Sequence, residues 1–342
     1  MKKPDLSIII PWLSKSDWTG LIFSSLKKAA EENNFTFNTI IGSRVDNKKK
    51  AQKQEPFSFL YPKLRVVEKM VDFSHKNMLA NRIIIVDSSF VNMKAVRYIA
   101  GKESFISCFV NGGFFQEYDL DRQTISGYDK ELKKFEEGHY SLMDKILLPS
   151  KYSLRIFLEA YPDLKKKSLY THYSLRDTLT KNYKFFDKHG CVYVSRHSLE
   201  KGYDIISTLN KKNIKMDSIL GLKNHIFRKK LLKYKSVIIP SRADLFGFCA
   251  LEAILEGTIP VVPAGLSYDE LIDVPNNFKL SLPIGKRTKK EIETIVELIE
   301  DLSESQYNEI ILKARKSLQS IMNNKNHNFS AALKTILYEK KK

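Results

Sequence analysis

Short apolar runs of strand length alternate with longer amphipathic stretches in the first half of the chain. The apolar runs lie at residues 6–10, 35–41, 83–86, 105–110 and 144–148. Between the first two runs, residues 21–32 repeat apolar positions at helical spacing, and Ser150 is the predicted cap of another helical sequence that stops at Pro162. Because strands that alternate with helices usually pair in parallel, the pattern predicts an α/β fold built on a mainly parallel sheet.

A second alternating series begins near residue 191. Its predicted strands are 191–194, 215–220, 236–239 and 258–262, and its predicted helices are 203–210, 223–234, 250–255 and one long stretch over 289–322. Residues 171–190 are polar and lack a clean period, and a polar break at 323–328 precedes a last amphipathic helix. We therefore predict two Rossmann-like domains, 1–176 and 177–326, followed by a C-terminal helix within 327–342.

The net charge of the chain changes the range of partners to consider. Lysine and arginine outnumber aspartate and glutamate by 57 to 39 in 342 residues, which gives a net charge of +18. Residues 151–250 hold 21 basic and 8 acidic side chains, so the excess is concentrated there. A field of this sign attracts nucleic acid, anionic lipid or nucleotides. The alternative is a lysine-rich composition that fills exposed positions without a partner.

Several classes of protein are disfavoured by what the sequence lacks. The first apolar run is too short for a signal peptide, and no stretch approaches the roughly 20 apolar residues of a membrane-spanning helix. Cys108, Cys191 and Cys249 are far apart and lie among apolar residues, which indicates buried free thiols in a reducing cytoplasm. Without a CxxC pair or a His/Cys cluster, we expect no structural zinc.

The segment PSRADLFGFCALEAILEGTIPVVPAG, residues 240–265, combines the parts of an anion-binding turn. A strand leads into a glycine-containing loop and then a helix, so that backbone amides and the helix dipole face a ligand at the end of the strand. Gly247 allows close approach of the backbone, and the Asp244 and Glu252 carboxylates can accept hydrogen bonds from ribose and sugar hydroxyls. The alternative is an ordinary strand-loop-helix unit with solvated acids.

A second segment, VYVSRHSLEKG at residues 192–202, places two cations at the start of a helix. Arg196 and Lys201 follow a predicted strand and stand five positions apart, where both can reach one diphosphate. Considered alone, such a pair is more often a pair of surface charges. Combined with the downstream segment that contains Asp244, the pair predicts a shared anion site.

These segments resemble the motifs of the family-4 group of retaining glycosyltransferases, which have the GT-B fold. The first resembles that group's acidic-x7-acidic motif, with Asp244 where glutamate is usual, and the second its Gly-Arg-x4-Lys-Gly pattern, with Ser195 in place of the glycine. By this resemblance Glu252 binds the nucleotide ribose and Asp244 the hydroxyls of the donor sugar. Gly247 and Phe248 contact the donor through the backbone, and Ser195 lies in the binding loop.

The resemblance also implies a fold and a mechanism. Residues 144–162 and 328–339 are similar to the segments that close the N-terminal domain and cross back onto it, so we expect two Rossmann-like domains facing a cleft. Arg196, Lys201 and Asp244 would serve the transfer of a sugar, with retention of configuration, from a nucleotide-diphosphate sugar such as a UDP-sugar. No paired acidic metal motif stands out, so we expect a metal-independent enzyme without a further cofactor.

The acceptor side is less defined in the sequence. Its candidates share a position in a loop after a predicted strand, and they are Asp87, Ser88, Ser89, Asn111, Gly112, Gly113, Glu117 and Asp119. Trp12 and Trp18 could stack on a sugar or a base, or pack in the core. His172 and His197 are possible acid/base groups without a partner carboxylate at fixed spacing.

Three hypotheses for the role of the chain stay open. The first acceptor is duplex DNA with hydroxymethylated bases, favoured by the basic stretch Lys211–Lys235 and by a loose resemblance to bacteriophage DNA glucosyltransferases. The second is a lipid-linked or envelope glycan at an anionic membrane surface, which a cytoplasmic enzyme would reach from the membrane periphery. The third is a non-catalytic nucleotide- or nucleic-acid-binding protein. No obligate protein partner is evident.

Overall fold

The structure is a computed structural model that describes residues 3–13, 18–44, 60–88, 91–113, 115–116, 129–173, 188–195, 197–209, 214–216, 224–324 and 328–339. The chain divides into two compact units. Unit 1 comprises Met1–Gln116, Asp121–Ser174 and Asn324–Lys342, and unit 2 comprises Glu117–Leu120 and Leu175–Asn323. The domain boundaries predicted at residues 177 and 327 lie outside the described residues.

Unit 1 is built on a six-stranded sheet in which all pairs are parallel. Its strands are β1 (Leu6–Leu13), β2 (Phe37–Arg44), β3 (Arg82–Ile85), β4 (Phe105–Phe109), β5 (Lys145–Leu148) and β6 (Ser168–Tyr170). They lie in the order β2-β1-β3-β4-β5-β6. Apart from Arg82 at the start of β3, the residues of β3 and β4 are buried, which is why these strands read as continuous apolar runs rather than as alternating patterns.

Helices connect the strands of unit 1. They are α1 (Trp18–Glu32), α2 (Leu60–His75), α3 (Met93–Ala100), α4 (Asp129–Ser141) and α5 (Lys151–Ala160). The start of α5 confirms the predicted cap, because the Ser150 side chain accepts a hydrogen bond from the Ser153 backbone at 3.0 Å and Ser153 reciprocates at 2.9 Å.

The last helix of the chain belongs to unit 1, as predicted. In this helix, α12 (Phe329–Tyr338), the Phe329 ring lies 5.1 Å from the Phe109 ring at the end of β4. Arg82 donates to the Ile336 carbonyl at 2.6 Å near the end of the helix. Buried aromatic packing and a guanidinium bonded to terminal carbonyls both fix α12 against the first sheet.

Unit 2 contains a five-stranded parallel sheet in the order β11-β10-β9-β7-β8. Its strands are β7 (Cys191–Tyr193), β8 (Ile214–Met216), β9 (Ser236–Ile238), β10 (Ile259–Pro263) and β11 (Lys279–Leu280). Its helices are α6 (Tyr203–Thr208), α7 (Asn224–Leu231), α8 (Phe248–Leu255), α9 (Tyr268–Leu271), α10 (Thr288–Glu300) and α11 (Glu304–Met322).

One part of the predicted architecture of unit 2 is wrong. The single helical stretch expected over residues 289–322 is two helices, separated at Asp301–Ser303. Ser303 starts α11 with a capping box, in which it exchanges hydrogen bonds with Gln306 at 3.0 and 3.3 Å. The apolar period continues across the break, which hid the cap within an otherwise helical pattern.

Among the helices that the structure describes, none combines the length and apolar character needed to cross a membrane.

Candidate functional site

The carboxyl edge of the unit 2 sheet has a topological switch point. Strand β7 pairs with β8, the next strand in the chain, on one side and with β9 on the other. The loops that follow β7 and β9 therefore leave the sheet in opposite directions and leave a crevice between them, the usual ligand position in open α/β sheets. Lys201 lies after β7 and Asp244 after β9, so the two predicted motifs meet at this crevice.

Lys201 connects the two loops directly. Its ammonium donates to the Asp244 Oδ2 carboxylate oxygen at 3.2 Å, to the Ala243 carbonyl at 3.1 Å and to the Ser241 hydroxyl at 3.4 Å. The side chains of Lys201 and Asp244 are each only 18% exposed. Removal of either partner of such a poorly solvated pair should be destabilising, because it leaves the other charge without compensation.

Asp244 is oriented by donors from three separate segments. Besides Lys201, the Tyr268 hydroxyl donates to Asp244 Oδ2 at 2.8 Å, and the Gly247 backbone N–H donates to Oδ1 at 2.8 Å. Tyr268 is fully buried on α9, and its burial together with the Asp244 charge raises the pKa of its hydroxyl well above the usual value. Tyr268 is thus a constant donor to Asp244, and sequence motifs gave no indication of it.

Gly247 fits its place for two physical reasons. Its φ of 74° lies in the left-handed region, and a Cβ atom there would stand 2.5 Å from Cε1 of the Tyr268 ring. Only glycine satisfies both conditions without strain. The residue precedes α8, so its backbone turn brings the first N–H groups of that helix to the crevice beside Asp244.

The remaining predicted donor-site residues fall on the same elements. Phe248 begins α8, and Glu252 follows one turn later on the same helix, half-buried. Ser195 is buried at the end of the β7 segment. Arg196 lies outside the described residues, so its predicted contact with a diphosphate stays a prediction.

The two predicted histidines lie in different units. His197, in the loop after β7, stacks on the Tyr203 ring with a centroid distance of 4.0 Å. His172 follows β6 in unit 1, and its ring lies 5.5 Å from the Tyr170 ring. Each histidine is thus packed against a tyrosine, and its acid/base role stays a prediction.

In unit 1 the predicted acceptor-side residues Asp87 and Ser88 follow β3 and are both buried. Ser88 is hydrogen-bonded to Cys108, whose pKa is raised by burial. The half-buried loop Asn111–Gly113 follows the adjacent strand β4, at the same edge of the sheet. The predicted candidates Ser89, Glu117 and Asp119 lie outside the described residues.

Sequence reasoning missed a buried carboxylate next to that loop. Glu136, on α4, accepts hydrogen bonds from the Tyr161 hydroxyl and from the Tyr140 hydroxyl at 3.3 Å. A Cβ atom on Gly113 would collide with Glu136 Oε1, so the glycine makes room for the acid. The i,i+4 spacing of Glu136 and Tyr140 was the available signal.

Trp12 lies near the end of β1 and Trp18 at the start of α1, and both side chains are half-buried, so the two roles predicted for them stay predictions.

Part of the predicted basic stretch Lys211–Lys235 has an internal role. Arg228 forms an ion pair with the buried Glu256, and Lys235 forms one with Glu300 at 3.1 Å. Lys229 and Lys233 are exposed. The described part of the stretch thus offers fewer cations to a polyanion than its composition suggests.

Within the described ranges, the structure has no group of three or more His, Cys, Asp or Glu side chains arranged to hold a metal ion.

Comparison with known proteins gives a clear result at the level of the fold. No protein-family model matches the chain, and no curated protein matches it in sequence. Sucrose-phosphate synthase from Thermosynechococcus elongatus superposes with a TM-score of 0.70 at 10% identity, over 98% of each chain. HepE from Anabaena, solved with UDP-glucose, gives 0.62 at 13% identity over 97% of this chain and 98% of its own. OtsA gives 0.61 at 10% identity over 98% and 99%.

These similarities cover nearly the whole chain, while the identities are too low to transfer an activity. They agree with the mixed α/β architecture on two parallel sheets. The chain has the GT-B type of fold, with two Rossmann-like α/β units.

Proposed function

We propose that the chain is a glycosyltransferase that uses a nucleotide-diphosphate sugar, with its donor site at the switch point of unit 2. The observation that carries this proposal is the 3.2 Å contact between Lys201 and Asp244 at the start of α8. It joins residues from two separate motifs, at the strand ends where α/β sheets bind ligands. HepE, a protein of similar fold, was solved in complex with UDP-glucose.

The roles of the donor-site residues follow from their charges and positions. The Lys201 ammonium and the N–H groups at the start of α8 suit a diphosphate, to which Arg196 would add a second cation. Glu252, one turn into α8, would accept hydrogen bonds from the ribose. Asp244 would accept from hydroxyls of the donor sugar, and Gly247, Phe248 and Ser195 would shape the loop around them.

The reaction proposed is a front-face displacement that retains the configuration at the anomeric carbon. The bond between that carbon and the diphosphate oxygen breaks as the acceptor oxygen forms its bond on the same face. A phosphate oxygen takes the proton from the acceptor hydroxyl. Lys201 and Arg196 stabilise the charge that develops on the leaving diphosphate, which is the main contribution of the protein. This scheme needs no metal ion and no separate base.

For the acceptor, we propose duplex DNA with hydroxymethylated bases. The support is the net charge of +18 and two exposed lysines, Lys229 on α7 and Lys233 just after it. A lipid-linked or envelope glycan at an anionic membrane surface is the competing acceptor, since lysine attracts both polyanions.

A transfer assay tests the function. The protein is incubated with radiolabelled UDP-, GDP- and ADP-sugars, in excess chelator, together with hydroxymethylated duplex DNA, unmodified DNA or anionic vesicles carrying lipid-linked glycan. We expect label in the hydroxymethylated DNA from one of the donors. Label in the glycan alone would contradict the DNA acceptor and favour the envelope-glycan acceptor. A requirement for added magnesium would contradict the metal-free scheme. If neither sugar transfer nor donor hydrolysis occurs, the proposed glycosyltransferase activity is contradicted.

An Asp244→Asn variant, compared with Asp273→Asn, links the activity to the site. Asp273 is a surface partner of Lys313 in the same unit, at 3.3 Å. Only the Asp244 substitution should abolish transfer.

A further inference from the structure

A second ion pair links the loop after β9 to the segment that carries Lys201. Arg242, in the loop after β9, forms a two-pronged ion pair with Asp204 at the start of α6, with distances of 2.7 and 2.8 Å. One of its guanidinium nitrogens also donates to the Leu199 carbonyl, and its backbone N–H donates to the Glu200 carbonyl at 2.8 Å. One residue thus makes four hydrogen bonds to the segment that carries Lys201.

The position of Arg242 in the sequence suggests a different role. An arginine in the loop of an anion-binding turn, two residues before Asp244, is a natural phosphate ligand. Its side chain is only 9% exposed, however, and both ends of its planar fork are occupied by Asp204. The hydrogen bond from Arg242 lowers the pKa of Asp204, so the carboxylate stays charged at neutral pH. The Arg242 guanidinium is thus held by contacts within the protein rather than directed at a phosphate.

We propose that Arg242 and Asp204 are positioning residues that hold the two loops at the separation at which Lys201 can bind the diphosphate of the donor while Asp244 binds its sugar. This inference rests on the proposed function. The physical reason is that the Lys201 ammonium donates to Ser241, Ala243 and Asp244, which are its side-chain acceptors within the described ranges and all lie in the opposite loop. Its position therefore depends on how the two loops are held. Two parallel N–H···O bonds fix both distance and orientation, which a single lysine contact cannot do.

The test uses one conservative change in each partner. Arg242→Lys keeps the charge and loses the fork, and Asp204→Asn keeps the size and loses the charge. The control is Asp273→Asn, the same substitution in another ion pair of unit 2; the Asp273 side chain is 42% exposed and that of Asp204 43%. Calorimetric titration with UDP measures the affinity of the site in each variant, and thermal melting shows whether each variant is folded.

We expect Arg242→Lys and Asp204→Asn each to weaken UDP binding about fivefold or more, and the control to stay within about twofold. In a Lys201→Ala background, Arg242→Lys should cause no further loss, because it acts through Lys201. Equal losses with and without Lys201, or wild-type affinity in both variants, would overturn the positioning role.

Hydrogen exchange provides a measurement without a ligand. The backbone N–H of Arg242, bonded to Glu200, and that of Gly247, bonded to Asp244, report how firmly the loops are held. Both should exchange faster in Asp204→Asn than in the wild type and the control. Unchanged exchange rates in Asp204→Asn would overturn the positioning role, whether or not the wild type binds UDP. Failure of the wild type to bind UDP would count against the proposed function alone.

Discussion

The ammonium of Lys201 lies 3.2 Å from the carboxylate of Asp244, although 43 positions of sequence separate the two residues. The contact exists because β7 and β9 are neighbours in the sheet while the strand between them in sequence, β8, lies on the far side of β7. Two loops with distinct motifs are thereby brought to one crevice.

Tyr268→Phe should reduce sugar transfer about tenfold or more while UDP affinity stays within about twofold. The hydroxyl is a charge-assisted donor to Asp244, and its loss lets the carboxylate turn away from the sugar without touching the diphosphate. Steady-state kinetics and calorimetry measure the two quantities.

The control for that variant is Tyr307→Phe, which removes another buried hydroxyl of unit 2, bonded to the Lys235 and Gly257 carbonyls at 2.7 and 2.9 Å. It should lower the melting temperature without lowering kcat. Equal kinetic losses in both variants would show that the Tyr268 effect is one of stability.

Glu252→Gln and Asp244→Asn should separate ribose from sugar recognition. The first should weaken UDP and UDP-sugar alike, because the ribose is common to both. The second should weaken the sugar conjugate more than UDP. Competition titrations with both ligands measure this difference, and the opposite pattern would show that the two carboxylates have exchanged roles.

Lys188 gives the protein a stability that increases with pH. Its ammonium is buried against the Tyr234 and Glu256 carbonyls and the Thr258 hydroxyl, at 3.1 to 3.3 Å. Burial, reinforced by the charge of Arg315 and opposed by that of Glu256, lowers its pKa to about 7.

The direction of the effect follows from proton binding. Between pH 7 and the unfolded pKa of about 10.4, the unfolded chain holds a proton that the folded chain has released, so the free energy of unfolding rises with pH by up to about 5 kcal/mol. Below pH 7 the full cost of the buried charge is present. Measured by urea denaturation, the free energy of unfolding should rise less between pH 7 and 10 in Lys188→Met than in the wild type. In Lys229→Met, a substitution at an exposed site, the rise should be unchanged. Parallel curves for the wild type and Lys188→Met would contradict this assignment.

Binding to duplex DNA should depend on salt through Lys229 and Lys233. Each phosphate neutralised contributes about 0.9 to the slope of log K against log salt concentration, so Lys229→Gln with Lys233→Gln should make the slope shallower by about 1.8. Fluorescence anisotropy between about 50 and 200 mM salt measures it.

The matched control is Lys94→Gln with Lys102→Gln, two exposed lysines of unit 1. A slope that changes equally for both pairs would indicate attraction by net charge rather than a surface near α7.

Local signals in the sequence were sufficient for most strands, for the Ser150 cap and for the Gly247 turn, since each depends on a few neighbouring residues. The contacts of Tyr268 and Arg242 could not be inferred, because their partners lie 24 and 38 positions away and only the strand order brings them together. The break at Ser303 was missed for the opposite reason, since the local cap interrupts an apolar period that continues on both sides.

The most direct test of the donor site is the affinity of UDP for the wild type, Lys201→Ala and Lys229→Ala, measured by calorimetry on proteins whose melting curves show that they are folded. If Lys201 holds the diphosphate, its loss should weaken binding by about 1.5–3 kcal/mol, or roughly 10- to 150-fold, and the Lys229 substitution should have little effect. Equal affinity in all three proteins would contradict a nucleotide-sugar site at the switch point of unit 2.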